Sequence, residues 1–190
     1  MTSRARGPGV RVLAAALLGL SLGATLLSWF VASSNFRVSD PAHDPRLDQV
    51  FSALEGGEAR RLALRYVTNE SNRALFLFLG PTQLAVSALA TGLGVLAAGR
   101  AGSRRRGLLL VLASMLAASV ATALLVDPIV ELGREIDFLS REPQAPDAVA
   151  RFGRLHGFYM LADLVKVVMA LGALGLLLFP AKPEAPKPTA

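Results

Sequence analysis

Hydrophobic residues in this chain gather into four runs, Val12–Ala32, Ala74–Ala98, Gly107–Val126 and Leu155–Phe179, separated by polar stretches. Each run reaches the ~20 residues that an α-helix needs to cross about 30 Å of hydrocarbon. The pattern predicts an all-α fold, an integral membrane four-helix bundle forming one transmembrane domain over residues 12–179. Residues 1–11 form a short N-terminal segment, and the Pro-, Ala- and Lys-rich stretch 180–190 reads as a disordered tail. The first run is longer than the apolar core of a signal peptide and is expected to be a retained helix. Its Gly19-x-x-x-Gly23 spacing offers a close-packing face and a route to a homo-oligomer.

The polar stretches carry their own periodicity. Leu47, Val50, Phe51 and Leu54 recur at i, i+3, i+4 and i+7, a one-faced amphipathic helix that Gly56-Gly57 breaks. A second short helix, Glu58 to Val67, is expected to lie on the outer surface and lead into the second span. Within that span, Gly80-Pro81 predicts a kink. Gly80, Gln83, Ser87, Thr91 and Gly94 share one small, polar face, which should point into the bundle. The third span shows a stripe of Ser114, Ala118 and Thr122 and ends at Asp127-Pro128, with a helical period continuing through Ile129, Leu132, Ile136 and Leu139. Asp147 is a candidate N-cap for the helix that becomes the last span.

Charge fixes an expected orientation. The N-terminal segment, the Arg100–Arg106 loop and the tail together hold nine basic residues against one acidic. The other two connections, 33–73 and 127–154, hold ten basic against twelve acidic. The positive-inside rule then places both termini in the cytoplasm, as four crossings require, in a bacterial inner (plasma) membrane. This distribution explains the net charge of +6 without nucleic acid, which is not expected as a partner. The lipid bilayer is the expected environment. The absence of cysteine excludes disulfides, thiolate metal sites and cysteine nucleophiles. No P-loop, Gly-x-Ser-x-Gly or dinucleotide fingerprint occurs, so the reading leans away from an enzyme, with no cofactor expected.

Candidate chemistry concentrates in the last span. His156, Tyr159, Asp163 and Lys166 lie on one helical face. The helix cannot be trimmed to leave the two charges outside, because 167–179 is too short to cross. A charge at the bilayer centre costs at least ~2.5–3.5 kcal/mol on insertion scales, so these residues should face the bundle and be paired. Two readings follow. Asp163 and Lys166 neutralise each other as i, i+3 neighbours, or they line a polar pocket open to the outer side. Gln83, at a comparable depth, is the expected cross-helix partner in either. Asn72, Arg73, Asp127 and Glu131 form an outer-mouth polar cluster. A metal site from His156 with Glu131 or Asp127, and with His43 and Asp44 as loop ligands, lacks any recognised spacing and is not expected.

The stretch Arg151-Phe152-Gly153-Arg154-Leu155-His156-Gly157-Phe158-Tyr159-Met160-Leu161, with its phenylalanine and Leu-His-Gly triplet at the start of the last helix, resembles the transmembrane-protein-205-like bacterial family, a domain of unknown function. The order of elements over residues 12–178 is similar too. Where that family continues with Asn-Leu, this chain has Asp163-Leu164. A fainter resemblance, in Asp127-Pro128 and the Phe-Gly-x-Leu-His stretch, is to the anthrone-oxygenase-like four-helix membrane family, whose last-helix arginine is here Lys166. Both imply the topology rather than a reaction. The leading expectation is a small membrane protein that binds a small ligand, lipid or partner helix through an outer-facing polar pocket. The alternatives are a small-molecule transporter or efflux component acting as an oligomer, and a cofactor-independent oxygenase-like membrane enzyme.

Overall fold

The computed structural model describes residues 8–39, 47, 57–98, 103–136 and 146–179. They form four α-helices, α1 (Pro8–Val38), α2 (Gly57–Ala97), α3 (Ser103–Glu135) and α4 (Pro146–Leu178), with no strand among the described residues. All four are long and apolar enough to cross a membrane. The protein is an all-α four-helix membrane protein. Each helix packs on its neighbours in sequence, and α1 also packs on α4, which closes the ring.

Side-chain contacts define the two ends. At one end, α1 and α3 begin where α2 and α4 finish, and Arg11 and Arg104 reach the last carbonyls of α4. At the other, α1 meets the start of α2 through Asn35 and Asn72, and α2 meets α3 through Glu70 and Arg134. We call these the arginine end and the extended end. At about 1.5 Å per residue the helices are roughly 46–62 Å long, well beyond the ~30 Å of hydrocarbon. The excess lies at the extended end, where the helices continue past their apolar runs.

That continuation corrects several expectations. Glu58 to Val67 is not a separate surface helix but the first part of the 41-residue α2. No breaker separates Val67 from Ala74, and α1 extends to Val38 rather than ending near Ala32, giving the start of α2 a partner. Thr68 Oγ1 lies 2.5 Å from Ser39 Oγ, and Asn35 donates to Asn72 at 2.8 Å. The third helix, by contrast, runs through Pro128 to Glu135 as the period through Ile129 and Leu132 predicts, with Val130, Leu132 and Gly133 buried beyond the proline. In α4 the helix starts at Pro146, a residue suited to a first helical position, so Asp147 lies in the first turn and not at the cap. The predicted helix around Leu47 to Leu54 falls, except for Leu47, outside the described residues, as do Leu139 and the tail.

The core has two layers. Toward the arginine end, Ala14, Leu18, Ala90, Leu108, Leu112, Met115, Ala170, Ala173 and Leu177 form one apolar cluster. Gly94 lets α2 approach α3 here, since a Cβ on it would stand 2.6 Å from Leu112 Cδ1. Toward the extended end, Val126, Val130 and Tyr159 form a second cluster, with Phe76, Leu125 and Ile129 against it. Polar side chains lie between the two.

Candidate functional site

In α4, Asp163 and Lys166 project from one face toward the bundle axis, each only 1% exposed. Lys166 Nζ sits 2.5 Å from Asp163 Oδ1, so the pair is closed within one helix. Each partner also reaches another helix. Trp29 Nε1 on α1 donates to Asp163 Oδ2 at 2.5 Å, and Lys166 Nζ donates to Gln83 Oε1 on α2. Thr25 Oγ1 of α1 lies 3.4 Å from the same Gln83 oxygen. The carboxylate and the ammonium thus exchange water for one another and for fixed polar partners, which a charge buried in a bundle requires.

The polar layer continues toward the arginine end as hydroxyls. Ser87 on α2 contacts Ser21 of α1 at 3.4 Å and Ser119 of α3 at 3.0 Å. Thr25, Ser119 and Thr122 also donate to carbonyls three or four residues back in their own helices. The polar face expected on α2 is borne out, with Gln83, Ser87 and Gly94 buried and Gly80 set 3.1 Å, by an added Cβ, from Val126 Cγ2. On α3 the stripe is Met115, Ala118, Ser119 and Thr122, whereas Ser114 is exposed. The correction is a small rotation, because an α-helix repeats at 3.6 and not at 4 residues.

One turn from Asp163, the phenol ring of Tyr159 packs edge-on against Phe76, with centroids 5.6 Å apart and planes at 77°. A further turn out, His156 stacks on Phe152 at 5.7 Å and 9°. Phe76, Val126, Ile129, Val130, His156 and Tyr159 line a cleft of about 20 Å³, room for roughly one water. Space therefore lies above the ion pair and is walled mainly by apolar groups. At the level of the pair, Trp29 and Gln83 take up its remaining hydrogen bonds to other helices.

The outer-mouth residues differ in burial. Asn72 turns to Asn35, while Asp127 and Glu131 are exposed. Arg73 is buried and pairs with Glu70 at 2.5 Å. Gly133 makes room for it, since a Cβ there would stand 3.3 Å from Arg73 Nη2 and 3.4 Å from Phe152 Cε2. Glu70 also takes Arg134 at 3.3 Å, linking α2 to α3 outside the apolar runs. Hydrogen bonds from Arg134 and then Arg73 hold the Glu70 carboxyl below its ordinary value. The described residues hold no group of three or more His, Asp or Glu that could bind a metal, and His43 and Asp44 lie outside them.

Trp29, Ser21, Thr25, Ser119, Glu70 and Phe152 belong to these networks without having been singled out for them by sequence. The i, i+4, i+7 spacing of Ser21, Thr25 and Ser28 was the available signal on α1. Gly19 and Gly23 lie on a different, exposed face, with nothing within 4 Å of an added Cβ. Comparison of the chain with protein-family models, curated proteins and solved structures gave no match, so its chemistry must be argued from these contacts.

Proposed function

We propose that this membrane protein binds a small amphipathic or lipid-like molecule in the extended half of the bundle, with the extended end facing the outer side of a bacterial plasma membrane. The cleft between α2, α3 and α4 carries the reading; closed it holds about one water, so the ligand enters by parting α4 from α2. Its walls of Phe76, Val126, Ile129 and Val130 suit an apolar segment, and His156 and Tyr159 offer polar tips at its edge. It stands one turn above the Asp163–Lys166 pair on the same face of α4, so a ligand that parts α4 from α2 acts directly on the Lys166–Gln83 contact. The arginine half favours binding over transport by a single bundle. There Leu18, Leu112 and Met115 are fully buried in a closed apolar layer. Transport would need an oligomer, for which the exposed Gly19/Gly23 face is available.

The test is photolabelling of the purified protein with a diazirine-bearing decanoate, competed by unlabelled decanoate. Binding in the cleft predicts competable labels on the α3 stretch 126–130 and the α4 stretch 156–159, abolished by Val130→Trp in a variant that keeps its helical circular dichroism. Non-competable labelling spread over lipid-facing residues such as Leu124 and Leu164 overturns it.

A further inference from the structure

Three residues stand one helical turn outward of the cleft, one on each helix that walls it. On α2, Arg73 precedes Phe76 by three positions. On α3, Gly133 follows Val130 by three, and on α4, Phe152 precedes His156 by four. The three meet. A Cβ added to Gly133 would stand 3.3 Å from Arg73 Nη2, 3.6 Å from Arg73 Nε and 3.4 Å from Phe152 Cε2. The guanidinium and the ring edge therefore lie against the same bare stretch of α3. Phe152 in turn stacks on His156, which lines the cleft. A buried guanidinium thus stands at the outer end of an apolar cleft.

The pairing of that guanidinium suits it to an exchange of partners. Arg73 Nη1 meets Glu70 Oε1 at 2.5 Å, and Arg134 Nη2 meets Glu70 Oε2 at 3.3 Å. A buried cation gives up a carboxylate at large cost unless another anion replaces it. Glu70 is less bound by this, because its side chain is 33% exposed and it keeps Arg134 when Arg73 turns away. An entering anion can take the place of Glu70 on Arg73 and leave both original charges paired. The Glu70–Arg134 contact also joins α2 to α3, so the guanidinium belongs to the wall that stays when α4 parts from α2.

We propose that the ligand of the cleft is an anionic amphiphile whose carboxylate displaces Glu70 from Arg73 while its apolar chain lies among Phe76, Val130 and Tyr159. This rests on the cleft being the binding site and adds the charge of the head group and the residue that selects it. A planar guanidinium meets a carboxylate bidentately, and such charge-assisted bonds are the strong ones. The walls supply the second half of the selection, because a small anion without a chain gains nothing from them.

The purified full chain is photolabelled with a diazirine-bearing decanol, whose uncharged head group reports the cleft without Arg73. Unlabelled decanoate, decanol and acetate compete at alkaline pH, where the acids are ionised. The readout is the ratio of half-competing concentrations of decanoate and decanol for labels on 126–130 and 156–159. In Arg73→Gln the ratio should move about tenfold or more against decanoate, with decanol itself unchanged. Glu70→Gln removes the competing carboxylate and should move the ratio in favour of decanoate. It decides the matter if Arg73→Gln loses its helical circular dichroism. Acetate should not compete at the concentrations where decanoate does. A ratio unchanged in Arg73→Gln or in Glu70→Gln, or competition by acetate, overturns the proposal and leaves the cleft as the binding site. Labels that neither decanoate nor decanol displaces overturn both.

Discussion

In the arginine half of the bundle, Leu18, Leu112 and Met115 meet Ala14, Ala90 and Ala170, and Gly94 sets the approach of α2 to α3. In the extended half, helices are joined by Trp29 to Asp163, Lys166 to Gln83, Asn35 to Asn72 and Glu70 to Arg134. Lipid tails are as apolar as leucine, so the first set gains little from burial itself and depends on close fit. The second set is directional and fixes which turn of one helix faces which turn of the next. One half supplies density and the other supplies register.

The largest effect should come from splitting the ion pair. Lys166→Met leaves a carboxylate in the bundle without its ammonium, and Asp163→Asn does the converse. Each is expected to cost about 3–5 kcal/mol, the usual penalty for removing one partner of a buried pair. The Asn/Met double variant should recover most of the loss, as read by thermal unfolding in detergent. Four equally stable proteins would show that the pair fixes nothing, and would move it from structure to ligand chemistry.

A smaller effect is expected from Leu112→Ala. The hydrophobic transfer term largely cancels in a bilayer, leaving a cavity term of about 2 kcal/mol. Gly94→Ala should then be better tolerated in the Leu112→Ala background than in the native chain, because the Leu112 Cδ1 that a new Cβ would meet at 2.6 Å is gone. Additive losses would show that fit is not what joins this half.

The smallest effect concerns Glu70. Its carboxyl is lowered by Arg134 and Arg73, so its contribution is complete above the ordinary carboxylate value and fades as pH falls through the lowered one. Unfolding temperatures of the native protein and Glu70→Gln should differ slightly at neutral pH and converge in acid. A gap that persists at pH 2 would assign the contact to packing instead of charge.

Hydropathy alone was enough to read the four helices, since only helices and closed barrels satisfy the backbone within lipid and unbroken apolar runs of ~20 residues suit the helix. The face of α2 and the Gln83 partnership were legible for a related reason. A buried charge must meet a polar group at its own depth, and residue number gives depth along a helix. Helix ends were harder. Ser33, Ser34 and Asn35 read as loop, but α1 continues through them because α2 rises beside it and supplies Asn72 and Thr68 as partners. Trp29 lies near the end of the first apolar run, the ordinary interfacial place for tryptophan. Its role depends on the angle between α1 and α4, which no local pattern encodes. The cleft was beyond sequence for the same reason, since its six lining residues come from three helices.

Trp29 is the only tryptophan in the chain, and it is hydrogen-bonded to the most deeply placed carboxylate described. Indole emission responds to the charge and polarity around its N–H. The protein therefore carries its single indole at the joint between α1 and α4, with no second one to blur the signal. A slip of register, a broken ion pair or a molecule entering one turn above would each change its colour or brightness, with no label attached.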